Sequence, residues 1–314
     1  MRLSRRLLFV VLGVIVWIFL AWRIVPYLTE SRQTGCPLTA NLALIAFTAL
    51  LIPLNYGIEA AKWHYLVFKK SNGSYWLAYK SVLSGMALGI LTPSRVGEPF
   101  ARALMVPGGS YISTTAAALI CSLSQLAATL LFGIIGALSL ANLFNTSVTG
   151  MLGYVVGGAT LLVIAALLLL LSPTMLKWIS NHHFTQKVLQ SLSGIESFSL
   201  RQIATVQALS VVRYCVFLLQ YCCILYAFGC SLSPWHIVSA VACIFLVGSA
   251  IPAPTVVDAG IKISLAILFL GTTLDNEKVA AAASTTIWIM NIAIPAFAGT
   301  IFAMTNTFNR KREE

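Results

Sequence analysis

Three stretches of this chain, Leu7 to Val25, Tyr111 to Leu138 and Met151 to Leu171, reach the length of about 20 residues that a helix needs to cross a bilayer, and they are nearly free of charge. Such runs are spans, because a water-soluble domain has no place for them. The remainder agrees: 59% of residues are hydrophobic and 9% are charged, where a soluble domain carries about 25% charged residues. Mean hydropathy is +0.89. The first stretch is longer than the apolar core of a signal peptide, and no small-residue cleavage site follows Val25. It is therefore expected to be retained as the first helix.

The net charge of +11 invites a nucleic-acid partner, but the placement of the basic residues excludes one. Thirteen of the 20 Lys and Arg fall in four short segments: Arg2, Arg5 and Arg6; Lys62, Lys69, Lys70 and Lys80; Lys177, Lys187 and Arg201; and Arg310, Lys311 and Arg312. The intervening segments hold only Arg23, Arg32 and Lys278. That asymmetry is a positive-inside pattern with both termini cytoplasmic, as expected of a multi-pass protein of the inner (plasma) membrane.

Gly and Pro punctuation divides the chain into long helices near residues 7–25, 40–61, 112–140, 150–171, 203–228 and 279–305. Two places differ. Residues 77–92 and 95–106 are each too short to cross and are separated by Thr92-Pro93-Ser94; residues 236–251 and 256–270 are likewise short, separated by Pro252-Ala253-Pro254. Short paired segments broken by Pro at matching positions of two halves are the sequence sign of broken or re-entrant helices at a transport site. The expected fold is thus an all-α polytopic membrane helix bundle of two inverted structural repeats, residues 1–140 and 141–305, each with one broken pair. Residues 172–202 read as a cytoplasmic amphipathic linker, and residues 306–314 as a charged cytoplasmic tail.

Glu59, Arg95, Glu98, Arg102, Arg213, Asp258 and Lys262 lie in or beside hydrophobic segments, where an ionised group costs at least about 2.5 to 3.5 kcal/mol. They must face partners, water or substrate. On a helix starting at Pro93, the residues Arg95, Glu98 and Arg102 would share a face. Asp258 with Lys262, and Glu59 with Lys62, are spaced to neutralise each other along a helix, so internal pairing and a substrate role stay equally open for them. Arg95, Arg102 and Arg213 favour substrate binding, because the guanidinium fork matches phosphate and Arg95 follows a Pro-Ser break where free N–H groups add to an anion site. Arg213 and Gln220 share a face one heptad apart.

Other polar residues carry less. His182 and His183 lack acidic or Cys partners at ligand spacing, His64 and His236 sit at span ends, and Gln125 and Asn291 are expected to make hydrogen bonds between helices. The seven cysteines are scattered, without a Cys-x-x-Cys. No metalloprotease, serine-hydrolase or Walker motif occurs, so no metal or other cofactor is expected and the chain reads as a transporter rather than an enzyme.

The stretch Leu91-Thr-Pro-Ser-Arg-Val-Gly-Glu-Pro-Phe-Ala-Arg102 resembles the lysylphosphatidylglycerol synthase transmembrane-region family, whose hallmark is Pro-Gly-Arg-x-Gly-Glu followed by Arg; here Ser94 replaces the glycine. Asn55-Tyr-Gly-Ile-Glu-Ala-Ala-Lys-Trp63, Arg213-Tyr214 with Gln220-Tyr221, and Trp288-Ile-Met-Asn-Ile-Ala-Ile-Pro295 extend the likeness over residues 40–305. The family's second hallmark, a Pro-Gly-Gly-x-Gly loop followed by Arg-Glu, is altered to Pro254-Thr-Val-Val-Asp-Ala-Gly-Ile-Lys262. The resemblance implies lipid translocation. The soluble aminoacyl-transferase domain has no room in this chain, so synthase activity is not implied. The leading expectation is a flippase for an anionic lipid, a phospholipid or polyprenyl phosphate, with membrane lipids as partners and a homo-oligomer left open. An intramembrane lipid-modifying enzyme using Glu98 or Asp258 as base, an ion-coupled carrier of a soluble anion, and a scaffold that binds without transport are the alternatives.

Overall fold

The computed structural model describes residues 41–68, 73–90, 97–104, 111–143, 198–251, 255–271 and 277–309, with residues 92, 95, 106 and 253 between them. The expected spans 7–25 and 150–171, the linker up to residue 197, Pro93, Pro252 and Pro254, and the tail after residue 309 lie outside the described residues.

All described elements are helical. They are α1 (Leu42–Trp63), α2 (Tyr75–Gly89), α3 (Gly97–Leu104), α4 (Tyr111–Leu143), α5 (Leu200–Ala227), α6 (Pro234–Ala250), α7 (Thr255–Ala266), α8 (Glu277–Trp288) and α9 (Ile294–Asn309). Single π-helical turns follow α1 at His64–Phe68 and α7 at Ile267–Gly271, and another joins α8 to α9 at Ile289–Ala293. Four of the resulting helices, Leu42–Phe68, Ser113–Leu140, Leu200–Ala227 and Glu277–Ala303, are long and apolar enough to cross a bilayer. Their outer faces expose Leu50, Leu138, Leu219 and Ile301, side chains a water-facing surface would not cluster. This is a multi-pass membrane protein.

Local chemistry sets where the helices start. Asn41 caps α1 by accepting from the N–H groups of Ala43 (3.1 Å) and Leu44 (3.4 Å). Ser199 and Gln202 form a reciprocal capping box at α5, and Ser233 followed by Pro234 opens α6. The short helices α2 and α6 begin with exposed Trp76 and Trp235, residues suited to the bilayer–water interface.

Helices α1 and α5 run antiparallel along their whole length. The Asn41 N–H donates to the Ala227 carbonyl (2.9 Å), Gln220 Nε2 to the Thr48 carbonyl (3.3 Å), Arg213 Nε to Asn55 Oδ1 (2.9 Å) and Lys62 Nζ to Ser210 Oγ (3.0 Å). Arg213 and Gln220 thus share the face turned to α1, as their spacing predicts. Around this pair the short helices change sides: α2 packs on α9, whereas α6 packs on α4. Glycines make both contacts close. A Cβ on Gly299 would meet the Leu83 carbonyl oxygen at 1.9 Å, and one on Gly136 would meet the Ser239 carbonyl oxygen at 2.7 Å. The core of the second half joins Tyr221, Ile224, Ile244, Leu246, Phe269 and Ile287 from α5 to α8 and the π turn after α7.

Candidate functional site

Glu59 is the node of a buried ion cluster. Its Oε1 accepts from Arg102 (2.7 Å), and its Oε2 accepts from Lys62 (2.7 Å) and Arg213 (2.9 Å). These three cations come from α3, α1 and α5, so one carboxylate ties three helices together. Lys62 also donates to Ser210 Oγ at 3.0 Å and is fully buried. Positive-inside counting places Lys62 among loop charges, but the structure puts it on the buried face of α1. The i, i+3 spacing to Glu59 is what holds it there.

Arg102 also pairs with Glu98 one turn back on α3. Two glycines of α2 let this polar helix approach: a Cβ on Gly85 would lie 2.4 Å from Arg102 Cγ, and one on Gly89 would lie 2.8 Å from Glu98 Cβ. Ahead of α3, Thr92 Oγ1 donates to the Gly89 carbonyl (2.8 Å) and accepts from the Gly97 N–H (2.9 Å). That hydroxyl ends one helix and starts the next.

Arg95 departs from its expected place. Helix α3 begins at Gly97, not Pro93, and Arg95 precedes it with φ of 55°. It therefore does not share a helical face with Glu98 and Arg102. The left-handed conformation costs an L-residue about 1 to 2 kcal/mol, and the Arg95 N–H bond to the Thr92 carbonyl (3.1 Å) holds the bend. Among the described residues the Arg95 side chain makes no ion pair. Strain kept beside a cavity points to function there.

That cavity has a volume of about 370 Å³ and is lined by Arg95, Arg213, Asp258 and Lys262, with residues of α1, α4, α5, α6, α7 and the π turn after α8. Asp258 and Lys262 pair at 2.8 Å, as their spacing predicts. Of the seven residues singled out from sequence, these four line the cavity, whereas Glu59, Glu98 and Arg102 form the cluster behind it. Arg213 belongs to both: its NH1 reaches Glu59 and Gln125 Oε1 (3.4 Å), and its guanidinium lies 5.1 Å from the Phe217 ring centroid and 5.9 Å from that of Tyr56. The expected interhelical bond of Gln125 is present.

Asn291 behaves differently from expectation, and proline explains why. Pro295 has no N–H to offer the carbonyl four residues back, and the chain there widens into a π turn in which the Ile294 N–H reaches Ile289. The Asn291 carbonyl accepts instead from the Tyr56 hydroxyl at 2.6 Å. The Asn291 side chain, only 5% exposed, makes no hydrogen bond among the described residues although it lines the cavity. Tyr56→Phe is expected to destabilise the protein by about 1 to 3 kcal/mol, because a buried carbonyl loses its partner. Pro295→Ala supplies an N–H for that carbonyl and should recover much of the loss, read as thermal midpoints in a double-mutant cycle.

Tyr56, Thr255 and Trp288 also line the cavity, and sequence reasoning did not single them out as site residues. Two lie in stretches already notable, Asn55 to Trp63 and Trp288 to Pro295, and the position of Pro295 four residues after Asn291 was the available signal. Among the described residues no group of His, Cys, Asp and Glu is placed to hold a metal. No curated protein and no solved structure matches the chain. The model of the family described as the lysylphosphatidylglycerol synthase TM region matches residues 6–299, nearly the whole chain, and the protein belongs to that family.

Proposed function

We propose that this protein translocates an anionic lipid, a phospholipid or polyprenyl phosphate, across the inner membrane, with the phosphate bound by Arg95 and Arg213. The observation that carries this reading is the charge surplus at the cavity. Among the described residues, Glu59, Glu98 and Asp258 face Lys62, Arg95, Arg102, Arg213 and Lys262, which leaves two cations uncompensated. In a membrane interior a surplus cation is retained for a ligand or pathway. Arginine supplies a bidentate fork for phosphate, and family membership favours a lipid substrate.

The antiparallel α1 and α5, and the exchange of α2 and α6 between the halves, support the inverted-repeat reading. In such repeats equivalent helices run in opposite senses and the broken helices meet at a central site. The proposed orientation keeps both termini cytoplasmic, from the positive-inside pattern. Glu98 is held by Arg102 and Asp258 by Lys262, so neither is a free base. That favours transport over the lipid-modifying alternative.

The test uses the full chain in vesicles with a fluorescent phosphatidylglycerol, with outer-leaflet label quenched by dithionite. Wild type should expose inner-leaflet label, and Arg95→Gln should lower the rate at least about tenfold without loss of folded protein, since among the described residues the Arg95 side chain makes no ion pair. Arg95→Lys should fall between them. Equal rates for wild type, Arg95→Gln and empty vesicles would overturn translocation. A chemically altered lipid on mass spectrometry would favour the enzyme instead.

A further inference from the structure

Two ion networks border the cavity, and they differ in how firmly they are held. In the cluster behind it, the Glu59 side chain is 3% exposed and its three cations are between 0% and 13% exposed. Those pairs join α1, α3 and α5, and halving a buried network of that kind strands a charge. Asp258 and Lys262 differ on every count. Both line the cavity, their side chains are 19% and 22% exposed, and their 2.8 Å bond joins two residues of α7 alone. Among the described residues neither side chain makes another hydrogen bond or ion pair. An i, i+4 pair that solvent reaches contributes little, so it opens without loosening the packing of any helix.

The contents of the cavity decide whether it opens. Arg95 and Arg213 line the same cavity, and Asp258 is the only carboxylate among the described residues that line it. An anion drawn in by the two arginines therefore meets a third cation, whose partner is displaceable. The Lys262 ammonium sits on a flexible four-carbon stem. That stem passes Gly248 of α6, where an added Cβ would come no closer than 3.8 Å to Lys262 Cε, so no side chain at that position blocks its swing. A phosphate oxygen makes the same kind of charge-assisted bond to the ammonium as the carboxylate does. Once displaced, Asp258 faces the bound anion with no cation of its own, and like charges side by side weaken a complex.

We infer that Asp258 is a resident counter-anion: it holds Lys262 while the cavity is empty, yields it to an entering anion, and then repels that anion so that it leaves. The inference rests on the lipid-translocation reading, with Arg95 and Arg213 as the phosphate's first anchors. It predicts that affinity and turnover move in opposite directions when the carboxylate is removed, which a mere staple within α7 would not produce.

The test titrates full-length protein in detergent with dioleoyl phosphatidylglycerol and with inorganic phosphate, and runs the same variants in the dithionite vesicle assay. Asp258→Asn should bind the lipid at least about fivefold more tightly and translocate it at least about fivefold more slowly, because tighter binding is mostly slower release. Asp258→Glu, which keeps the charge, should bring both values back towards wild type. Adding Lys262→Met to Asp258→Asn should cancel the gain in affinity, and Lys262→Met alone should weaken binding severalfold. Asp258→Asn binding no tighter than wild type, tighter binding without slower translocation, a gain that survives Lys262→Met, or Lys262→Met alone within about twofold of wild type would each overturn the counter-anion role. Tighter phosphate binding by Asp258→Asn, with no lipid bound by any variant, keeps that role and removes the lipid reading. Binding of neither probe removes both.

Discussion

Glu59→Gln is expected to cost about 3 to 5 kcal/mol of stability, enough to abolish recovery of monodisperse protein from detergent. The carboxylate accepts from Lys62, Arg102 and Arg213 at once, and it is 2% exposed. Glutamine keeps the shape but removes the charge. Arg102 retains Glu98, and Arg213 retains Asn55 and Gln125. Lys62 does not fare as well: it is fully buried and is left with Ser210 Oγ and the Cys121 carbonyl at 3.5 Å. Adding Lys62→Met to Glu59→Gln should therefore recover part of the yield, since a buried pair can be replaced by apolar groups more safely than halved. Adding Arg95→Gln should recover none, because Arg95 does not touch Glu59. A Glu59→Gln protein with wild-type yield and thermal midpoint would show that the cluster does not hold the helices.

Gly299→Ala comes next, and its cause is steric. The new Cβ would stand 1.9 Å from the Leu83 carbonyl oxygen and 2.5 Å from its carbon. Both atoms are backbone in α2, so no rotamer change relieves the overlap and α9 must retreat from α2. The cost should lie at or above the top of the usual overpacking range of about 1 to 3 kcal/mol. Gly136→Ala, against the Ser239 carbonyl at 2.7 Å, should cost less. Gly260→Ala meets nothing within 4 Å and should gain up to about 1 kcal/mol from helix propensity. Thermal midpoints in one detergent test the order. Gly299→Ala at or above wild type would mean that the approach of α2 to α9 is not as close as described.

Among the described residues, hydropathy and Pro punctuation locate helices within a few residues: the expected long helix 203–228 is Leu200–Ala227, and the expected short segment 236–251 is Pro234–Ala250. Pairs set by helical spacing were also legible, such as Asp258 with Lys262 and Glu59 with Lys62. What failed depended on tertiary contacts. The pairing of Lys62 with Glu59 is legible, but its burial against α5 is not, because it depends on Ser210, a residue of another helix. Arg95 reads as helical until Thr92 is seen to hold both ends of the break and to place the helix start at Gly97. The π turns were invisible because periodicity does not register one inserted residue, yet one of them frees the Asn291 carbonyl for Tyr56. The division of the seven charged residues between a cavity wall and a cluster behind it follows from which helices adjoin, and spacing along one helix carries no such information.

The crossing-over of α2 and α6 has a bearing on how the protein is made. Leu83 meets Gly299, a residue near the end of the described chain, so α2 cannot reach its final neighbour until almost everything else has been synthesised. At about 5 to 20 residues per second, that wait is roughly 10 to 40 s. During it, Gly85 and Gly89 and the polar helix they admit, with Glu98 and Arg102, stand without the completed bundle. The partner of α6 is α4, which is made earlier, so α6 docks as it emerges. Biogenesis is therefore lopsided: the first half waits for the last helix to close it, and the nascent chain depends in that interval on whatever insertion machinery shelters unfinished spans.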